Sequence, residues 1–215
     1  MKKLILPLLV AGALFAAPAQ AQQKATAAVA AVGKSTKGAQ TYAVQPQLST
    51  LGWVGKKVGG QHNGTISVKD GAVQVKGNQI VGGTFAFDMN TIKVEDLKDA
   101  EWNGKLVGHL KNDDFFAVDK NPTANFVITS VKPIKADAAG NNAQITGNLT
   151  IKGKTNPVSF PAKVGVKDGV ASASGVATVD RTKYDVKYGS TLFGAAADKA
   201  IEDNFTLSFN VIAKQ

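Results

Sequence analysis

The chain has 215 residues, a formal net charge of +9 and no cysteine. The lack of cysteine excludes disulfides, thiolate zinc sites and thiol nucleophiles, so burial and hydrogen bonding must hold the fold together. The net positive charge favours contact with anionic lipid headgroups or cell-wall polymers. Lysines spread singly along strands are also what a solvated sheet carries, and they do not form a patch for nucleic acid.

The N-terminus predicts export from the cell. Two lysines precede an apolar run at 4–17, and an Ala-Gln-Ala cleavage pattern follows at 19–21. This run is too short for a comfortable membrane span, which needs ~20 residues. We therefore expect a signal peptide at 1–21 and a periplasmic or secreted mature protein without an integral membrane span. Residues 22–40 are mainly Ala, Gln, Lys and Gly, which predicts a disordered leader.

Residues 41–215 are predicted to form one all-β domain. Apolar and polar side chains alternate through most of its segments, which is the pattern of half-buried strands. The last segment, 204–213, alternates most clearly and would expose a long edge in an open sheet. The residue types at 70–71, 154–156 and 168–169 predict tight turns.

One segment, 94–120, interrupts the β pattern. Its second half is predicted to form short helical turns, with Asn112 as a cap and with Asp113 and Asp114 at a helix N-terminus. Pro122 then ends the helical pattern. A general acid–base role for the two aspartates is the less favoured interpretation of the same pair.

The strand pattern predicts a closed sheet. Eight or nine strands with tight turns and one short helical insertion favour an eight-stranded antiparallel barrel, with a two-sheet sandwich as the alternative. Such a barrel is just wide enough to be filled by side chains or to hold one slender ligand. Gly82, Gly83, Gly147 and Gly175 lie within strand segments, which predicts bends or close approaches of the backbone.

The sequence contains no catalytic or metal-binding motif. Its two histidines, His62 and His109, lie in separate segments, and neither a nucleophile elbow nor a phosphate-loop spacing occurs. We therefore predict that the protein is not an enzyme and that it holds no metal and no cofactor.

Five segments resemble characteristic stretches of the YceI-like family, in the family's order. The resemblance extends from about Thr41 to the C-terminus, although Asp185 stands where the family usually has a glycine. The segments are WVGKKVGGQHNGTISV, GGTFAFDMNTIKVEDL, GHLKNDDFFAVDKNPTANFVITSV, ITGNLTIKGKTNPVSFP and DRTKYDVKYGS.

This resemblance implies a secreted, lipocalin-like barrel that binds long apolar lipids such as polyisoprenoids. The inward faces of the strands would line a tunnel, and the insertion would cap one end of it. In a barrel without a ligand the same side chains would instead fill the core. The predicted tunnel residues are Trp53, Phe85, Phe87, Met89, Phe115, Phe116, Phe126, Phe160, Phe205, Leu207 and Phe209.

Three polar residues are candidates for orienting a lipid headgroup at the barrel mouth. His62 and His109 match histidines of the family, and Arg181 lies in its last characteristic segment. For both histidines, a hydrogen bond within the fold is the alternative interpretation.

The predicted function is therefore the binding or carriage of a long isoprenoid-type lipid or quinone tail. A homodimer is left open, and no nucleic-acid partner is expected. One alternative is a structural or stress-response envelope protein whose barrel is packed solid. Another is an eight-stranded outer-membrane barrel, which the polar outward faces and the absence of aromatic girdles oppose.

Overall fold

The computed structural model describes residues 38–215, so the predicted signal peptide and residues 22–37 of the predicted leader lie outside the described residues. Within this range the chain forms nine strands and one α-helix, joined by turns and short 3-10 segments. The elements are β1 (Gln40–Val44), β2 (Thr50–Lys57), β3 (Gly60–Lys76), β4 (Gln79–Val94), α1 (Ala100–Lys111), β5 (Thr123–Pro133), β6 (Ala143–Ile151), β7 (Lys154–Lys167), β8 (Val170–Asp180) and β9 (Ile201–Lys214).

The sheet closes on itself. Strands β2 to β9 pair in sequence and antiparallel, and β9 returns to pair with β2 from Thr50↔Asn210 to Lys57↔Ile201. Strand β1 continues the position of β2, since it pairs with the second half of β3 and with the end of β9. Nine strands thus fill eight positions, and the predicted eight-stranded, lipocalin-like antiparallel barrel with one helix is confirmed.

Two of the three predicted turns are wrong. Residues 70–71 lie inside β3, where the register against β4 shifts between Val68 and Asp70. A Cβ on Gly71 would lie 2.7 Å from the carbonyl oxygen of Thr84, so the glycine permits close strand packing instead of a turn. The turn expected at 154–156 lies just before β7, at Lys152 and Gly153.

The third predicted turn is confirmed. Asp168 and Gly169 join β7 to β8 with φ values of 50° and 72°. Positive φ at both central residues is the two-residue hairpin geometry that matches the twist of the flanking strands.

The helix lies earlier in the insertion than predicted. Asp99 is its N-cap and accepts a hydrogen bond from the backbone N–H of Trp102, whereas Asn112 is the C-cap. Asp113 and Asp114 therefore follow the helix, so their assignment to a helix N-terminus is wrong. The helix begins at Ala100 because Asp99 satisfies a free N–H there and because Leu106 and Leu110 give the helix an apolar face.

Two apolar clusters occupy the ends of the barrel. One lies where β1 covers β3 and β9 and includes Tyr42, Val75 and Ala213. The other lies beneath α1 and the segment between β8 and β9, and it includes Leu110 and Val186. The barrel is thus filled at one end and covered at the other, which leaves the middle of the interior for a site.

The strand glycines fall into two groups. A Cβ on Gly147 would lie 2.6 Å from the carbonyl oxygen of Val127, and one on Gly175 would lie 3.0 Å from that of Pro161. At Gly82 the nearest atom would be 3.6 Å away, which is an ordinary contact. The prediction of bends or close backbone approach is therefore confirmed at Gly147 and Gly175, and at Gly83, where a Cβ would lie 3.0 Å from the carbonyl oxygen of Ala72. Gly82 has no close approach, but it lies where the register against β3 shifts between Gln74 and Val75, which is the irregularity of a bend.

Gly147→Ala is expected to lower the free energy of unfolding by about 2–3 kcal/mol, because the added methyl group meets a backbone oxygen that cannot move aside. Gly82→Ala is the matched control and should change it by less than about 0.5 kcal/mol. Urea unfolding of both variants measures the difference. Equal stability of the two would contradict the strand spacing described here.

Candidate functional site

The middle of the barrel contains a cavity, called here the inner chamber. Its volume is about 110 Å³, whereas a cavity that holds a single water needs a volume of roughly 10–15 Å³ measured in the same way. All strands from β2 to β9 contribute to its wall. The lining residues are Thr50, Leu51, Ile66, Phe85, Phe87, Met89, Phe116, Ala124, Phe126, Ile128, Ile145, Leu149, Ile151, Val158, Phe160, Ala173, Ala177, Val179, Phe205, Leu207, Phe209 and Val211.

The inner chamber is an apolar environment. Thr50 is the only lining residue with a polar side chain. A water molecule needs two to four polar partners to be stable in a cavity, and apolar cavities of this kind stay dry or take up apolar molecules. The chamber is therefore suited to a hydrocarbon chain.

Aromatic rings form a continuous part of this wall. Phe126 lies 6.2 Å from Phe85 and 5.7 Å from Phe160, and Phe160 lies 5.3 Å from Phe209, measured between ring centroids. Each ring comes from a different strand, and the alternation of each strand turns it inward. The row crosses the barrel interior from β4 to β9.

A second cavity, the outer chamber, lies between the inner chamber and the solvent. It also offers about 110 Å³ and is bounded by the β2–β3 hairpin, α1 and the start of β9. Ile66, Phe116, Phe205 and Leu207 line both chambers, so these four side chains form the boundary between them. Phe116 reaches this boundary from the turn after α1.

The rim of the outer chamber is polar. Lys56, Lys57, His62 and Glu202 line it together with apolar residues of α1 and β9. The two chambers thus run from a fully apolar interior to a charged mouth. This polarity matches a ligand with one long apolar part and one polar end.

The predicted tunnel residues all lie at these two chambers. Phe85, Phe87, Met89, Phe126, Phe160 and Phe209 line the inner chamber alone. Trp53 and Phe115 line the outer one alone, and Phe116, Phe205 and Leu207 line both. Their contact with a ligand stays a prediction.

His62 lies at the chamber mouth and is held by a carboxylate. Its Nδ1 lies 2.8 Å from Oδ2 of Asp96, and the backbone N–H of Asn63 donates to Oδ1 of the same residue. Burial raises the pKa of Asp96, but the hydrogen bonds from Asn63 and His62 outweigh that effect and lower it. An ionised Asp96 favours the proton on Nδ1, which leaves Nε2 of His62 able to accept a hydrogen bond.

His109 lies outside both chambers. Its Nε2 is 2.9 Å from Oδ2 of Asp114. Its ring packs edge-on against Phe115 and Tyr188, with centroid distances of 5.2 and 4.5 Å. The structure therefore places His109 between the end of α1 and the segment after β8, where it joins the two covers of the barrel.

Arg181 joins both ends of the segment between β8 and β9 through its hydrogen bonds and is called here the Arg181 clasp. Its side chain is 4% exposed, and all five of its N–H groups have protein acceptors. Four of these acceptors are the carbonyl oxygens of Val186, Tyr188, Ile201 and Glu202, and the fifth is a carboxylate oxygen, that of Asp203. With all five donors bound, Arg181 holds both ends of the 186–201 segment in place. It also lines the outer chamber, and its contact with a headgroup stays a prediction.

Asp185 also belongs to this segment. Its φ of 62° is left-handed, a conformation that glycine adopts most easily and that aspartate tolerates. The glycine expected here from the family pattern is thus explained by the backbone, and the aspartate keeps the same conformation.

Sequence reasoning missed the two lysines of the mouth and the helix residues of the outer chamber. Lys56 and Lys57 look like ordinary hairpin lysines, and only the returning β9 shows that they border a cavity. Leu106 and Leu110 line the outer chamber and have the i, i+4 spacing of one helix face. That spacing is the sequence signal that could have predicted an apolar helix face at this site.

Residues 38–215 were also searched for metal-binding clusters and for membrane-spanning helices. Among residues 38–215 no group of three or more His, Cys, Asp or Glu side chains could hold a metal ion. No helix in that range is long and apolar enough to cross a membrane.

A family model described as the YceI-like domain matches residues 42–213. A UPF0312 protein of Pseudomonas aeruginosa is 52% identical over 56 residues, which cover 26% of this chain and 27% of that protein. A UPF0312 protein of Pectobacterium atrosepticum is 38% identical over 94 residues, which cover 38% and 44%. The chain thus spans less than half the length of these curated relatives.

Two solved structures share the fold. Burkholderia cenocepacia BcnA matches with a TM-score of 0.59 at 23% identity, over 80% of this chain and 99% of that one. A structure from Saccharophagus degradans, described as a polyisoprenoid binding domain implicated in plant cell wall breakdown, matches with a TM-score of 0.56 at 12% identity. This alignment covers 80% of this chain and 97% of that one.

Arg181→Met is expected to lower the free energy of unfolding by about 3 kcal/mol or more, since it leaves several buried carbonyl groups without donors. Lys183→Met, on the exposed side of the same turn, is the matched control. Urea unfolding and limited proteolysis within 186–200 measure the effect. If both variants behave alike, Arg181 is not the clasp.

Tyr184→Phe is expected to stabilise the protein and to change its response to alkali. The Tyr184 hydroxyl is buried without a described protein partner, so removing it should add about 1 kcal/mol. Burial, followed by the charge of Asp180, raises the pKa of Tyr184 to about 12, against about 10 in an unfolded chain.

This difference in pKa fixes the direction in which stability changes with pH. The folded state favours the neutral phenol, so this contribution to stability is complete below pH ~10 and is lost as the pH rises towards 12. Urea unfolding at pH 8 and pH 11 should show a smaller alkaline loss for Tyr184→Phe than for the wild type. An equal loss in both proteins would refute the buried-phenol account.

Proposed function

Because the chain belongs to the YceI-like family, we propose that its barrel binds a long-chain apolar lipid of isoprenoid or quinone type. The observation that carries this proposal is the inner chamber, whose wall is apolar except for Thr50 and which shares four lining residues with the outer chamber and its charged rim. The proposed location is the periplasm or the cell exterior, as the N-terminal signal pattern predicts.

The ligand class also has support from a similar structure. The Saccharophagus degradans protein that shares the fold is described as a polyisoprenoid binding domain. Extending that ligand to this chain is a proposal, and the apolar wall supports it because burial of hydrocarbon contributes about 0.8 kcal/mol per CH₂ group before the costs of ordering the chain.

The chambers give the proposed ligand a direction. The tail occupies the inner chamber along the row of aromatic rings, and the polar end stays at the rim near Lys56, Lys57 and His62. The Nε2 of His62 can accept a hydrogen bond from a headgroup hydroxyl, and the lysine ammonium groups can donate to headgroup oxygen atoms. His109 lies outside both chambers and positions the cover of the mouth, whereas Arg181 positions the cover and also borders the outer chamber.

A barrel packed solid is the competing account, in which the protein has a structural or stress-response role in the envelope. Solid packing requires the inward side chains to meet in the middle. The described barrel instead leaves two chambers of about 110 Å³ each, many times the space of one water. This observation favours the carrier.

Retention of a labelled polyprenol, and of a quinone with a similar tail, through gel filtration tests the proposal. Phe87→Arg should abolish retention, because it brings a charge into the inner chamber. Ala173→Phe should reduce it about tenfold or more by filling that chamber without a charge. Val176→Phe, on the exposed outer face of the same strand, is the control and should retain both lipids.

Circular dichroism of each variant shows whether the barrel has folded. Normal retention by folded Phe87→Arg and Ala173→Phe proteins would refute the chamber as the binding site. Failure of the wild type to retain either lipid would refute the ligand class.

A further inference from the structure

Exposed apolar side chains gather at the open end of the barrel. Leu192 is 74% exposed, Val58 56%, Phe193 52% and Tyr188 49%. Val58 lies at the tip of the β2–β3 hairpin, and the other three lie in the segment between β8 and β9. These four residues are called here the docking face. They lie on the same two loops whose neighbouring residues border the outer chamber.

The docking face is built on held backbone. The N–H of Val58 donates to the carbonyl oxygen of Ala200 over 2.9 Å, and the N–H of Ile201 donates to that of Gly189 over 2.8 Å. Leu192 and Phe193 share one 3-10 turn. Together with the Arg181 clasp, these bonds fix apolar side chains in water, which has a free-energy cost unless something covers them.

Lysines outnumber acidic residues on and beside the loops of the docking face, where Lys56, Lys57, Lys187 and Lys199 stand with Asp185, Asp198 and Glu202. Lys56, Lys57 and Lys199 are exposed and have no carboxylate within 4.0 Å among the described residues. Lys187 pairs with Asp185, and its Nζ also lies 5.0 Å from the ring centre of Phe193. Exposed apolar side chains beside an excess of lysines are typical of a protein surface that enters the headgroup region of an anionic membrane.

We propose that the docking face inserts into the surface of a bilayer containing anionic lipid and thereby brings the outer chamber to the membrane. A second copy of the chain fits less well, because the lysines of two facing copies would repel each other. The proposal rests on the proposed function in one respect only, which is that contact with the membrane would serve to pass a lipid between bilayer and barrel. Vesicle binding is a separate observable from lipid retention.

Co-sedimentation with vesicles tests the proposal. The wild-type protein should bind vesicles of phosphatidylcholine with a third phosphatidylglycerol, and it should bind phosphatidylcholine alone much more weakly. The double variant Leu192→Ser/Phe193→Ser should bind the anionic vesicles at least about tenfold more weakly, since two large apolar side chains no longer insert. Val176→Ser, an equally exposed change on the barrel wall, should bind like the wild type.

The contributions of the lysines and of the apolar side chains to vesicle binding can be measured separately. The double variant Lys187→Gln/Lys199→Gln, which leaves the chamber rim unchanged, should also weaken binding, and high salt should weaken the wild type in the same way. Both sets of variants should still retain labelled polyprenol in solution, and their transfer of it to vesicles should be slower. Loss of vesicle binding with normal retention supports the docking face independently of the chamber.

Two results would overturn the proposal. One is equal vesicle binding by the wild type and Leu192→Ser/Phe193→Ser. The other is a wild-type dimer in light scattering that this double variant converts to a monomer, without vesicle binding by either protein, since the face would then be an interface between copies.

Discussion

Closure of the sheet is the constraint on which the rest of the structure depends. The pairing of β9 with β2 and β1 joins the last strand to the first, so the barrel wall has no open edge and its backbone groups bond within the wall. Side chains then alternate between solvent and interior along each strand, except where the register shifts, as between Val68 and Asp70. Eight strand positions set an interior width at which side chains decide whether the centre is filled or hollow.

The distribution of side chains leaves the centre hollow. Apolar side chains fill the end beneath β1, and α1 with the 186–201 segment covers the other. An empty chamber of about 110 Å³ costs on the order of 3 kcal/mol of stability in a well-packed protein. A bound hydrocarbon chain would restore the lost contacts, so ligand binding and barrel stability are coupled. The Arg181 clasp keeps the cover in place while the chambers are empty.

The parts of the structure that sequence could predict are those where a local pattern and a tertiary contact agree. The alternation of β9 predicted its inward residues, Phe205, Leu207 and Phe209, because every second residue of a barrel strand faces the same side. The helix start was misplaced because Asp99 and Asn112 are equally good caps in isolation, and only burial of Leu106 and Leu110 selects the earlier one.

The polar residues show more clearly what could not be predicted from the sequence. His62 and His109 each pair with an aspartate, yet one borders the outer chamber and the other joins the covers. Arg181 was predicted to meet a headgroup, whereas its five N–H groups are bound within the chain. These differences depend on which loops the closed sheet brings together, and residue type alone carries no information about that.

The central claim is that the hollow barrel carries an apolar lipid. Its most direct test is mass spectrometry of an organic extract of the protein, purified without detergent. The account predicts an isoprenoid-type lipid or quinone at close to one molecule per barrel. An extract without lipid, from protein that also fails to take up added lipid, would contradict it.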